Sequence, residues 1–280
     1  MRKLALSDEI LLKVDKAARY IGGEVNSVMK DKNAVDIRFA MCFPDVYEIG
    51  MSNLGMMILY NMFNQREDVW CERLFSPWPD LDKVMREKKI PLFALESQEP
   101  IRDFDFLGIT IGYEMCYTNI LQVLDLSGIP LKSADRGEDF PIVIGGGACA
   151  YNPEPLAPFF DMFYIGEGET VYDALFDAYK ANKKAGGSRR DFLLAAAKIP
   201  GIYVPSLYEV TYKEDGTIAS FAPTADGVPE KVQKQLIIDM EKEYRAVEAP
   251  VVPHIKATQD RVTLEIQRGC IRAVVSARQV

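Results

Sequence analysis

Histidine is almost absent from this chain. His254 stands alone among 280 residues, in a connecting stretch between Pro253 and Ile255, which leaves a Ser/His/Asp or Cys/His catalytic site without a well-placed base. Cysteine is sparse and scattered: Cys42, Cys71, Cys116, Cys149 and Cys270 form no CxxC pair and no His/Cys cluster. An odd number in a chain too long for a disulfide scaffold predicts reduced thiols of the cytosol. No run approaches the ~20 apolar residues that span a bilayer, and MRKLALSDEILLKVDK carries charge through what would be the apolar core of a signal peptide. A cytoplasmic protein without a membrane partner is expected. Positive charge is in deficit, Lys+Arg 33 against Asp+Glu 41 for a net −8, which opposes capture of nucleic-acid backbones or anionic lipid. No repeat of about 20–50 residues is present, which excludes a solenoid.

What remains is ordinary globular material, 48% hydrophobic and 26% charged, long enough for roughly two domains of about 100–200 residues. Residues 1–34 form an N-terminal segment in which Ile10, Leu11, Val14, Ala17 and Ala18 share one helical face, predicting an amphipathic helix from Ser7, its N-cap, to about Tyr20. From residue 35 to 185 short apolar runs alternate with helical patterns. The apolar runs are VDIRFAMCF, IPLFALES, DFLGITIGYEM, PIVIGGGA and DMFYIGEGE. The helical ones are IGMSNLGMMILYNMFNQ, CYTNILQVLDLSG and TVYDALFDAYKA. This alternation predicts an α/β, doubly wound, Rossmann-like parallel sheet. Residues 186–254 read as a small α+β connector with a helix and a hairpin turning at Asp215-Gly216. At 255–272 the alternating run Arg261–Ile266 reads as the first strand of a new domain.

Ligands of open parallel sheets collect at the carboxyl ends of the strands, so the loops there supply the candidate binding residues. After the first strand, Gly50 and Gly55 permit close backbone approach, and Ser52 or Asn53 can either cap a helix or touch a ligand. After a later strand, Gly145, Gly146 and Gly147 leave room for a ligand or another backbone. Their spacing is not the G-x-G-x-x-G fingerprint, which disfavours NAD and FAD. The next strand ends in Gly166-Glu167-Gly168-Glu169, whose carboxylates either compensate a helix dipole or contact a ligand. The Tyr151–Pro155 and Phe159-Phe160 stretches are expected to close a loop over the sheet edge.

Several of these segments together resemble a known family, the cobalamin (B12)-binding-type radical S-adenosylmethionine (SAM) proteins. They are PIVIGGGACAYNPEPL, DMFYIGEGETVYDALF, FLGITIGYEMCYTNILQVLDLSGIPL, IPGIYVP and VTLEIQRGCIR. The resemblance implies a cobalamin-binding-like Rossmann domain followed by a radical SAM barrel, of which residues 255–272 are the start. It implies a [4Fe–4S] cluster on a C-x-x-x-C-x-x-C loop, with Cys270 as the first metal-ligating cysteine, and cleavage of SAM to a 5′-deoxyadenosyl radical. Thiolates suit such clusters because they are soft anionic donors. Where cobalt-ligating members carry D-x-H-x-x-G, this chain has Asp45-Val46-Tyr47-Glu48-Ile49-Gly50. Any cobalamin is therefore expected to bind without a protein histidine below the metal.

The second and third cluster cysteines are missing from Ala273–Val280. Codons for that stretch, preceded by one extra G, read Gly-Cys-Arg-Phe-Cys-Gln-Ala-Gly and restore the spacing, so residues 273–280 are expected to be a frameshift product. On that reading the chain alone is catalytically incomplete, the substrate determinants belong to the barrel, and Val262, Leu264 and Ile266 lack their strand neighbours. The alternative is a non-catalytic Rossmann-like domain that binds cobalamin, another flat ligand or a partner. A third class, an independent thiol or hydrolytic enzyme, lacks partners for its nucleophile.

Overall fold

The computed structural model describes residues 4–243, 247–261, 263 and 265–268; Cys270 and Ala273–Val280, with Val262 and Leu264, lie outside them. The chain opens with a short helix, α1 (Asp8–Leu11), followed by a turn and a single 3-10 turn at Ala17–Arg19. The continuous helix expected to Tyr20 is thus interrupted. Lys16 takes a left-handed conformation with φ 50°, and Ser7 occupies the N-cap position without a side-chain hydrogen bond.

Then follow β1 (Ile37–Phe43), α2 (Tyr47–Gly50), α3 (Leu54–Gln65), β2 (Val69–Phe75), α4 (Pro79–Lys88), β3 (Phe106–Thr110) and α5 (Tyr117–Leu126). The chain continues through β4 (Ile142–Gly146), β5 (Met162–Tyr164), α6 (Tyr172–Lys184), α7 (Arg189–Ala196), β6 (Ile202–Tyr203), β7 (Tyr208–Tyr212), β8 (Ile218–Pro223) and α8 (Met240–Glu243). The main sheet runs β2-β1-β3-β4-β5-β6, parallel throughout except for the antiparallel β6. This mixed α/β sheet is the expected Rossmann-like arrangement, and its sixth strand comes from the segment read as a connector. β7 and β8 form the separate hairpin around Gly216.

Both faces of the sheet are covered, as a parallel sheet requires. Ile37, Phe39, Met41 and Phe43 of β1 pack into the cluster holding α3, α6 and α7, whereas Ala40 and Cys42 join the cluster of α4 and α5. The first cluster is ring-rich: Phe63 meets Phe39 and Phe176 edge-on, each pair with centroids 5.0 Å apart. Each such side chain removed from water contributes roughly 1.5–3 kcal/mol.

Two sequence expectations for this region are corrected. IPLFALES is not a strand; Leu92, Phe93, Ala94 and Leu95 are buried in a loop that lies along the edge strand β2, Leu95 N–H donating to the Arg73 carbonyl at 2.9 Å. β2 itself, VWCERLF, gave no strand signal because Glu72 and Arg73 interrupt its apolar run. Both are fully buried. Arg73 is held by Glu24 (2.7 Å) and Glu96 (2.6 Å), and Glu72 by Arg38 (2.6 Å).

Candidate functional site

The strand order places β2 and β1 on one side and β3, β4 and β5 on the other, so the chain reverses its winding between β1 and β3. Crevices outside the carboxyl ends of strands at such a reversal are where open α/β sheets take ligands. A cavity of about 510 Å³ opens there, lined by Phe39 and Met41 of β1, Gly108–Thr110 of β3, Ile144 and Gly146 of β4, and Tyr164 and Tyr172. Its rim is formed by Asn53–Gly55 at the start of α3, Gly147-Ala148, Gly166–Glu169, Glu265 and Arg268.

The three consecutive glycines are glycine for three different reasons. A Cβ on Gly145 would lie 2.7 Å from the Phe163 ring and 2.9 Å from Ile111, so this residue serves the packing beneath the cavity and does not line it. A Cβ on Gly146 would meet nothing within 4 Å; this is the one whose missing side chain leaves space in the cavity. Gly147 has φ +100°, and its Cβ would come within 2.9 Å of the Ile111 carbonyl. Lower on β3, Gly108 lets the Phe39 ring tuck in as floor, since a Cβ there would stand 2.3 Å from it.

Of the residues expected after β1, Asn53 and Gly55 line the rim. Asn53 caps α3, its side-chain oxygen accepting from Met56 N–H at 2.8 Å. Ser52 stands outside the cavity lining; its hydroxyl donates to the Glu48 carbonyl and accepts from Gln259 N–H at 2.9 Å, fastening the chain that follows the hairpin. Tyr47, at the position of the family's histidine, is buried away from the cavity lining and donates to Glu24 at 2.9 Å. Burial, then the Glu24 charge, pushes its phenol far above the usual value. Asp45 receives the Tyr113 hydroxyl instead.

The GEGE loop forms part of the cavity rim and is also held by later parts of the chain. Gly166, at φ +139°, lets the Gln235 backbone approach: a Cβ would lie 2.4 Å from the Gln235 carbonyl oxygen. The Glu167 carboxylate accepts from Ile237 N–H at 2.5 Å, and Glu169 is paired with Arg268. Neither caps α6, whose first turn carries Asp173 instead. Gly168 leaves room for the Leu59 side chain. Arg268, Phe39, Met41, Ile144, Tyr164 and Tyr172 went unsuspected in the sequence, because apolar floor residues look like any core residue. The guanidinium of Arg268 holds the Glu265 carboxyl below its usual range, and burial pushes the Tyr164 phenol up to about 12.

Nothing among the described residues forms a nucleophile with its base. Burial raises the thiols of Cys42, Cys71, Cys116 and Cys149, which opposes thiolate chemistry. The His254 ring lies 3.1 Å from the Gly22 carbonyl. No group of three metal-ligating side chains occurs among the described residues, and no helix there is long and apolar enough to cross a membrane.

A doubly wound α/β domain with a ligand cavity at its winding reversal is the class that fold and site define. The profile of the family "Radical SAM proteins, N-terminal" matches residues 55–205, and the chain belongs to that family. Uncharacterized protein MJ0966 of Methanocaldococcus jannaschii is 26% identical over 131 residues, 46% of this chain. The chain aligns with only 24% of that relative's length. A solved structure of the cobalamin-dependent S-adenosylmethionine radical enzyme OxsB, with aqua-cobalamin and S-adenosylmethionine bound, matches 65% of this chain and 21% of its own, at 14% identity and a TM-score of 0.39.

Proposed function

We propose that this chain is the cofactor-binding N-terminal region of a radical SAM enzyme, and that its cavity takes a corrinoid without a protein imidazole below cobalt. The observation that carries the reading is the side-chain-free wall at Gly146, open over a floor of Phe39, Met41, Ile144 and Tyr172, in a chain of the radical SAM N-terminal family. Such a wall and floor fit a flat, apolar group. The rim sets three carboxylates, Glu167, Glu169 and Glu265, against one guanidinium. Amide N–H groups, which a corrinoid carries in number, match that rim better than phosphates do. Imidazole ligation does not fit, because Tyr47 is buried against Glu24. Gly146 would admit the ligand, Gly55 and Gly147 would line it, and Asn53 and the rim carboxylates would orient it. When bound, a corrinoid supplies alkyl-transfer or one-electron chemistry.

The residues do not fit a cluster held by this chain alone. Cys270 is the only cysteine in the family's RGC context, and three thiolates are needed. We therefore read this chain as catalytically incomplete by itself, the whole enzyme cleaving S-adenosylmethionine reductively. Anaerobic incubation with iron and sulfide should leave the protein without iron–sulfur absorption; a stable brown chromophore would contradict this.

The corrinoid reading is tested by incubating the protein with hydroxocobalamin and separating bound from free by gel filtration. Wild-type protein should retain corrinoid absorbance, and Gly146→Leu, whose side chain enters open space, should lose most of it while keeping its circular dichroism. Wild-type protein emerging colourless would end the proposal.

A further inference from the structure

Two polar side chains are buried without a hydrogen-bond partner among the described residues at one atom each: Arg19 of the N-terminal segment at Nη1, and Ser76, just past β2, at Oγ. The two residues are 6% and 5% exposed, and both line one small cavity of about 20 Å³. The guanidinium's shape explains its share. The Nε and Nη2 edge is taken by the Glu48 carboxylate, at 2.9 and 2.8 Å, which leaves Nη1 on the other side of the fork. Asp15 stands 3.9 Å from Nη1, beyond hydrogen-bond reach. The Ser76 backbone N–H donates to the Asp45 carbonyl at 3.0 Å, but the hydroxyl has no such partner. Most of the wall is apolar, with Leu74, Phe75, Leu81, Phe93 and Leu95, and buried polar groups left unpaired are costly. A third polar group lines the cavity, Tyr20. Its Oη accepts from Trp78 N–H at 3.1 Å, which leaves its own proton to donate.

We propose that this cavity binds one water molecule, which joins Arg19 to Ser76 and so ties the N-terminal segment to the end of β2. A buried water makes about three hydrogen bonds and needs at least ~10–15 Å³, so there is room for one and not for two. Water also balances the donors and acceptors. Its two lone pairs accept from Arg19 Nη1 and the Tyr20 hydroxyl, and one of its protons goes to Ser76 Oγ. An anion fits worse. Arg19 and Lys16, which lies 3.0 Å from Glu48, are already matched by the carboxylates of Glu48 and Asp15, and chloride is larger than water. A metal cation is opposed by the guanidinium itself. The small cavity shares no lining residue with the large one, so the water site stands whatever the large cavity takes.

Water magnetic relaxation dispersion, which counts molecules held longer than the protein takes to tumble, tests this on the full chain. Ser76→Val removes the acceptor and fills the space with methyl groups. Its count should fall by one water per protein molecule relative to wild type, with circular dichroism unchanged; equal counts would overturn the proposal. If Ser76→Val fails to fold, a high-resolution crystal structure of wild type decides. It should show an ordered water within hydrogen-bond distance of both Arg19 Nη1 and Ser76 Oγ, and a dry cavity there would overturn the proposal. Crystals grown in bromide give the last arm: anomalous scattering from a bromide ion between Arg19 and Ser76 would overturn the water site in favour of a halide.

Discussion

At the scale of single residues, the glycines near the cavity divide by what their absent Cβ would meet. The Gln235 backbone by itself requires glycine at 166, so Gly166→Ala combines positive-φ strain with a clash against Gln235. A loss of roughly 1–3 kcal/mol is expected, seen as a lowered urea midpoint; an unchanged midpoint would show that the 235 strand of contacts gives way freely. Gly146→Leu should cost little stability and, on the proposed function, lose most corrinoid retention. Sequence alone could not separate these positions, nor Gly145 from Gly146. A run of glycines announces that space is needed somewhere, and only the neighbours Phe163, Ile111 and Gln235 say for what. The same limit explains Ser52, a good rim candidate by its place in the loop whose hydroxyl is already engaged by Glu48 and Gln259.

At the scale of elements, apolar runs found β1, β3, β4 and β5, and helical periodicity found α3, α5 and α6. The miss at β2 has a definite cause. Pattern reading treats charge as a sign of solvent, yet Glu72 and Arg73 are buried with partners drawn from residues 24, 38 and 96, far apart in sequence. The apolar stretch at 90–97 produced the opposite error: it is hydrophobic because it covers an edge strand. Such covering keeps an exposed edge from pairing with other chains. Glu24→Gln leaves Arg73 paired with Glu96 but removes a second buried, charge-assisted partner, so it should destabilise the protein by about 1–3 kcal/mol. Equilibrium unfolding measures it, and a change below about 1 kcal/mol would mean that Glu96 suffices to hold Arg73.

At the scale of the whole molecule, carboxylates tied to cations set the response to acid. Hydrogen bonds from Arg66, then Lys180, hold Asp68 well below the usual carboxylate range. Burial alone would raise Glu24, but the charge and hydrogen bonds of Arg73 outweigh it and lower it. A carboxyl depressed in the folded state adds stability that is complete above its unfolded value and lost as pH falls toward the folded one. Glu72, raised by burial against the pull of Arg38, works in the opposite direction but has fewer companions. The melting temperature should therefore hold steady down to about pH 5 and fall below about pH 4.5, with a smaller fall in Asp68→Asn. A melting temperature that rises on acidification would mean that buried groups such as Glu72 dominate.

The order of pieces along the chain gives the cavity a history. Its floor and glycine wall belong to a sheet whose last strand ends at Tyr203, whereas one part of its rim, Glu265 and Arg268, comes much later. Synthesis at about 5–20 residues per second separates the two by several seconds on the ribosome. During that interval the cavity lacks the part of its rim that Glu265 and Arg268 supply. A ligand present during translation would meet the site before Glu265 and Arg268 of its rim have been made.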